Sequence, residues 1–287
     1  MRHVDSEGVK GVWVAESEAN LPVAHGRMSQ DTVVLFFIHG GGYMLNTCDY
    51  GAPHHLLLCK AFNENAKRVN SNKRLIVFSL EYGLAPRHVF PSQVHEAGIA
   101  YDWLVTKCGA QHVVVGGDSA GAHCAISLLN HIAETPALAK LPIQPFASVL
   151  FSPWINPLMT GLPTYRTFDI ISLNSVKYGS AVAFGRPTLE NVKRINLLEN
   201  DPNDFNLASN GTLIIYGGVE ILADVIDEFG KRLQSRKKPG YVKVHRFDGM
   251  PHDFNMVFVE SMFKSIHPHA MKAIKITAEF IQETLVK

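Results

Sequence analysis

Neither sign of charge dominates this chain, and cysteine is scarce. Lys and Arg number 27 against 26 Asp and Glu, a formal net charge of +1 over 287 residues. That balance excludes a generally basic nucleic-acid binder and an acidic tail protein. Charged residues make up 18% of the sequence and hydrophobic ones 46%, so the chain is not disordered and can bury a large core. No apolar run reaches the roughly 18 residues of a membrane-spanning helix. The opening Met1-Arg2-His3-Val4-Asp5-Ser6-Glu7 lacks the apolar stretch of a signal peptide. A cytoplasmic protein without an integral membrane segment is expected. The four cysteines (Cys48, Cys59, Cys108, Cys124) show no CxxC pairing, which points to free thiols in a reducing compartment. Fourteen histidines form no HExxH helix or Cys/His cluster, so no metal site is expected.

What is present is an alternation of short apolar runs and helical stripes. Val33 to Ile38, Leu75 to Leu80, Val113 to Val115, Ala147 to Phe151 and Leu213 to Tyr216 are continuous runs of the kind buried strands carry. Val242 to Phe247 alternates, as an edge strand does. Gly11 to Ala15 and Val23 to His25 are expected as short strands around Pro22, the former being the first strand. Val94, Ala97, Tyr101 and Leu104 step by three and four, as do Leu222, Val225 or Ile226, Phe229 and Leu233. Met271, Ile274, Ala278, Ile281 and Leu285 repeat the step, and such stripes face a core. The pattern predicts an α/β fold: a mostly parallel, twisted sheet of about eight strands with helices on both faces. A length near 300 residues admits two domains, but folds of this class often form one. A single domain over 1–287 is expected. One connection is abnormal, because roughly 60 residues separate Phe151 from Thr212, far more than a crossover needs. Leu158, Leu162, Tyr165, Phe168, Ile170, Ile171, Val176, Tyr178, Val182 and Phe184 make it apolar. Residues 155–206 are read as a lid over an active site.

The chemistry gathers at the ends of the apolar runs. Gly117-Asp118-Ser119-Ala120-Gly121 follows Val113 to Val115 and opens a helical stretch, the setting of a nucleophile elbow. The tight turn leaves no room for side chains at Gly117 and Gly121. His39-Gly40-Gly41-Gly42 follows Val33 to Ile38, about 80 residues ahead of that serine. Unhindered amides there suit an oxyanion hole. Gly41, Gly42 and Ala120 are assigned to it, with His39 as a loop brace and Asp118 as a loop-bracing acid. The general base is expected at His252, in the loop after Val242 to Phe247. The acid belongs after Leu213 to Tyr216: Glu220 sits directly past that strand, and Asp224, one turn on, is the alternative. In the mechanism these residues support, His252 takes the Ser119 proton, Ser119 attacks an ester carbonyl, and water later cleaves the acyl-enzyme. Tyr43 and Trp154 are candidate pocket residues as well as candidate core. Cys124 is read as a buried small hydrophobe and Asp253 as a surface residue.

These motifs together resemble the hormone-sensitive-lipase-like branch of the α/β-hydrolases. Glu81-Tyr82-Gly83-Leu84-Ala85-Pro86-Arg87-His88-Val89-Phe90-Pro91 is similar to the family's Y-R-L-A-P-E-x-x-F-P segment, departing at Gly83 and Arg87. Ser152-Pro153-Trp154 also matches a family pattern. Within the branch the chain most resembles fungal esterases of the steryl-acetyl-hydrolase type. The resemblance implies the α/β-hydrolase fold and hydrolysis of small to medium apolar carboxylic esters, without cofactor or nucleic-acid partner. It also implies homodimers that pair through an outer strand, here Val242 to Phe247. Relatives usually carry Asp where this chain has Glu220, and usually carry cap helices before the first strand, so a short or missing N-terminal cap is expected. Two other functions remain open: a non-catalytic ligand-binding protein on the same fold, and an acyltransferase or lactonase using the same triad.

Overall fold

The computed structural model describes residues 1–22, 27–158, 168–186, 188, 191–258 and 265–285. The strand expected at Val23 to His25, and Leu162 and Tyr165 of the long connection, lie outside them. The described residues form an eight-stranded sheet in the order β1-β2-β4-β3-β5-β6-β7-β8. The strands are β1 (Arg2–Ser6), β2 (Val9–Val14), β3 (Thr32–Ile38), β4 (Arg74–Glu81), β5 (His112–Asp118), β6 (Ala147–Phe151), β7 (Gly211–Gly217) and β8 (Tyr241–Phe247). β2 runs antiparallel to both β1 and β4, and every later pair is parallel. The first strand is therefore Arg2–Ser6 and not the Gly11 to Ala15 run. Only the intermediate Val4 of β1 packs on the core, so this edge strand carries almost no hydrophobic signal.

Both faces of the sheet are covered, which is why its central strands are apolar throughout. Along β3, Val34, Phe36 and Ile38 join one buried cluster, while Val33, Leu35 and Phe37 join the other. That alternation is the period of two of a pleated strand. Helices α1 (Ala52–Arg68) and α9 (His267–Leu285) cover the second face; α2 (Ser92–Thr106), α3 (Ala120–Glu134) and α7 (Ala223–Gln234) cover the first. Single turns form α4 (Pro136–Ala139), α6 (Val192–Ile195) and α8 (Phe254–Val257), and α5 (Leu173–Phe184) lies in the long connection. A capping box starts α5: the Ser175 N–H donates to Ser172 Oγ while the Ser172 N–H donates to Ser175 Oγ. Among the described residues no helix is long and apolar enough to cross a membrane.

The register sets the site. Ile38 at the end of β3 lies beside Gly117, and Asp118 at the end of β5 lies beside Phe151. The loops after β3, β5, β6 and β7 therefore emerge together at the carboxyl edge, where open α/β sheets place their ligands.

Candidate active site

Ser119 stands on the turn between β5 and α3 with φ 51° and ψ −117°. Backbone strain of this kind costs roughly 1–3 kcal/mol and persists only where neighbours hold it. Here the Ser119 N–H donates to the Phe151 carbonyl at 2.9 Å, and the Ser119 carbonyl accepts from the His123 and Trp154 N–H groups. The two glycines of the motif are required by contact. A Cβ on Gly117 would sit 2.5 Å from the Gly121 carbonyl carbon, and one on Gly121 would sit 2.0 Å from the Ile38 carbonyl oxygen.

The glycine loop after β3 is braced from two sides. Gly40 N–H donates to Asp118 Oδ1 at 2.8 Å, and the Tyr82 hydroxyl donates to the His39 carbonyl at 2.7 Å. The buried His39 ring stacks on Tyr82 at 4.2 Å, and its Nδ1 bonds the Gly40 carbonyl. Gly41 and Gly42 take φ values of 103° and 63°, a region that favours glycine. Among the described residues no hydrogen bond occupies the N–H groups of Gly41, Gly42 or Ala120. The departure at Gly83 also has a steric reason here, since a Cβ would lie 2.4 Å from the His88 ring.

His252 and Glu220 meet in the interior. Glu220 is fully buried in the turn after β7, and its Oε2 lies 2.6 Å from His252 Nδ1. Asp224, the alternative acid, is exposed in the first turn of α7. The turn and the histidine loop are stitched together: Gly218 N–H donates to the Phe247 carbonyl and Val219 N–H to that of Met250. Burial pushes the Glu220 carboxyl up to about 7, against the pull of the His252 ring. Burial alone would lower the His252 pKa, but the carboxylates of Asp253 and Glu220 outweigh it and hold the imidazole well above its ordinary value.

Three placements differ from what the chain alone suggested. Asp253, expected on the surface, is 5% exposed, and its Oδ2 lies 3.0 Å from His252 Nε2. It takes the left-handed conformation, φ 48° and ψ 31°, which no spacing rule foretells. Asp169, in the loop before α5, escaped notice altogether. Its Oδ2 accepts from the Ile221 N–H at 2.6 Å and its Oδ1 from the His252 N–H at 3.0 Å, so one carboxylate spans the acid turn and the histidine loop. Tyr43 is not a pocket residue: it is fully buried, packs on Tyr82, Phe90 and Phe184, and donates its O–H to His123 Nδ1 at 2.7 Å. His123 Nε2–H in turn donates to the Ile195 carbonyl of α6. Cys124 is fully buried in α3, as expected of a small hydrophobe.

Ser119, His252, Gly41, Gly42 and Trp154 border one cavity of about 360 Å³, within the range of small-molecule sites. Its opposite wall is apolar and comes from the long connection: Ile170, Ile171, Val176, Tyr178 and Gly179. Metal-ligating side chains converge elsewhere, at His3, Cys48 and Asp49, with ligand atoms within 4.8 Å of one another. His3 is exposed there, and burial together with Glu81 pushes the Cys48 thiol up to about 12. None of the three borders the Ser119 cavity.

The family model of the α/β hydrolase fold matches residues 35–256. The chain belongs to that family. It is 25% identical over 255 residues to an esterase of Acinetobacter venetianus, covering 87% of this chain and 74% of the relative. Mouse arylacetamide deacetylase is 30% identical over 140 residues, 46% of this chain but only 32% of that protein. Among solved structures, a hormone-sensitive lipase from a metagenome library superimposes with a TM-score of 0.75 at 20% identity, covering 98% of this chain and 84% of that one. At that identity the likeness is one of fold.

Proposed function

We propose that the chain is a serine carboxylic ester hydrolase that forms an acyl-enzyme on Ser119. The observation that carries this is the 2.6 Å contact between Glu220 and His252 at the edge of the cavity that Ser119 also borders. Curated relatives named as esterase and carboxylic ester hydrolase support the same activity. Glu220 holds the Nδ1–H tautomer and stabilises the imidazolium as it forms. His252 Nε2 accepts the Ser119 proton while Oγ bonds the ester carbon. The amides of Gly41, Gly42 and Ala120 face the developing oxyanion; in comparable sites one such donor is worth about 3–4 kcal/mol. The imidazolium proton passes to the leaving alcohol, and water repeats the sequence on the acyl-enzyme.

The apolar wall from residues 155–206 acts as the cap and selects small to medium apolar esters. The four cysteines, all free, suit a reducing cytoplasm. Two copies pair through β8, whose outer edge ends the sheet; gel filtration at the monomer mass would contradict that pairing. The activity itself is tested with p-nitrophenyl esters from acetate to palmitate, against wild type and Ser119→Ala. Turnover lost by roughly 10³-fold or more in the variant is expected. Equal turnover in both would remove the hydrolase reading, and absence of fluorophosphonate labelling at Ser119 would favour a ligand-binding protein on the same fold.

A further inference from the structure

We propose that Asp253 is a fourth member of the catalytic machinery: a second carboxylate that holds the Nε2–H of His252 in the resting site and must release it before His252 can accept the Ser119 proton. The inference rests on the serine-hydrolase reading above.

The contact is built into the backbone. Asp253 occupies the left-handed region, which Asp and Asn enter more readily than most residues. Its N–H donates to Ser152 Oγ at 3.1 Å, and its carbonyl accepts from the N–H groups of Met256 and Val257, the last two residues of α8. Ser152 is itself at a φ of 40° and donates its N–H to the Ile215 carbonyl of β7. The chain thus fixes Asp253 beside the ring of the residue before it.

The hydrogen-bond inventory then dictates the protonation state. Ionised carboxylates only accept. With both carboxylates ionised, a ring with Glu220 on Nδ1 and Asp253 on Nε2 satisfies both only as an imidazolium. A general base needs a lone pair on Nε2. So the resting Nε2–H bond breaks first, its proton passing to water, and the ring parts from Asp253. The Ser119 O–H bond then breaks as a new Nε2–H bond and the Oγ–carbon bond form.

Two carboxylates at the ring, Glu220 and Asp253, favour keeping the proton and outweigh the burial that opposes it. Glu220 meets the ring from the turn after β7, and Asp118 lies near it at the end of β5 with its own carboxyl raised by burial and by Asp253; Asp169 binds the backbone N–H of His252, and Tyr50 borders the same cavity. No Lys or Arg borders the cavity among the described residues. The buried His252 imidazole is accordingly held above its ordinary pKa. Asp253 is also a poor choice for stability alone. Its Oδ1 and the Asp118 Oδ2 are both buried without a hydrogen-bond partner among the described residues, and an orphaned buried acceptor costs about 1–3 kcal/mol.

Asp253→Asn removes the charge, keeps the size and suits the left-handed backbone. The acid limb of its kcat/KM profile is expected to move down by about one pH unit, so that one unit below the wild-type midpoint the variant is about fivefold the more active. An unmoved midpoint overturns the inference. The second measurement does not need the variant: the His252 imidazole is titrated by NMR in Ser119→Ala, with His252 assigned by its absence in a further His252→Ala chain. A midpoint well above 6.5 supports the pairing, and one at or below 6.5 overturns it. Fluorophosphonate labelling separates the two claims. Wild type that labels at Ser119 with an unmoved acid limb sinks only the role of Asp253. Wild type that never labels sinks the hydrolase reading, and with it the catalytic role of Asp253, while the NMR titration still decides whether the His252–Asp253 pair exists.

Discussion

Beneath the cavity, backbone meets backbone. A Cβ on Gly121 would lie 2.0 Å from the Ile38 carbonyl oxygen, and one on Gly217 would lie 2.1 Å from that of Met250. Above it, side chains meet loosely: Tyr178 is 66% exposed and Ile170 48%. The floor is a set of strand ends whose spacing the sheet determines, so it tolerates only glycine at its closest approaches. The roof is a set of apolar side chains that change size without disturbing the sheet. On the function proposed above, chemistry belongs to the floor and substrate choice to the roof. Asp169 belongs to both, because it leaves the roof to bind the amides of Ile221 and His252.

The contrast is sharpest at the acid. Glu220→Gln keeps the shape of the floor but lets the ring adopt the wrong tautomer. A kcat loss of about 10⁴-fold with little change in KM is expected, whereas Asp224→Asn, on the exposed side of α7, stays within about twofold. Steady-state kinetics on one ester decide between them. Steric intolerance of the floor is tested next: Gly121→Ala is expected to lose about 1–3 kcal/mol in urea unfolding as well as most activity, while Ile170→Ala leaves the unfolding midpoint in place. Equal losses in the two variants would break the distinction.

Asp169→Ala cuts the tie between the regions. A fall in kcat/KM of about ten- to a hundredfold is expected, chiefly in kcat, since sub-ångström misplacement of His252 is costly. A change in KM alone would assign Asp169 to the roof only. Tyr178→Ala acts on the roof: KM for the longer acyl esters rises several-fold and acetate is untouched, in line with about 0.8 kcal/mol for each buried methylene. The smallest effect is on stability against pH. Burial lowers the pKa of His54 to about 3 and of His123 to about 4. Below about pH 6.5 the unfolded chain takes up protons that these folded imidazoles refuse, so the stability they confer above that pH drains away as pH falls towards those values. Melting temperatures followed from pH 7 to 5 are expected to drop, and His54→Gln is expected to flatten the slope.

Much of this was legible in the chain because the floor is written in local patterns. Continuous apolar runs mark strands buried on both faces, and Gly-x-Ser-x-Gly after such a run marks a turn that admits no side chain. The five central parallel strands, Ser119, His252 and the glycine loop fall where those patterns put them. Strand β1 did not show because its residues are polar and only Val4 packs inward. Helix α1 carries a weak pattern although Leu58, Phe62 and Ala66 step by four, because its start holds His54 and His55, polar residues that the core nevertheless buries completely. The positive φ of Asp253 and the reach of Asp169 depend on contacts between residues far apart in sequence, for which no local pattern exists. Of the two carboxyls after β7, Glu220, the expected acid, is buried, and Asp224, the alternative, is exposed.

The most direct test of the account is mass spectrometry of the intact chain quenched during turnover of a slowly deacylating ester. The account predicts an increase equal to one acyl group, mapped to the peptide containing Ser119 and absent from Ser119→Ala. An unmodified chain during measurable turnover, or an acyl group on any other residue, would contradict it.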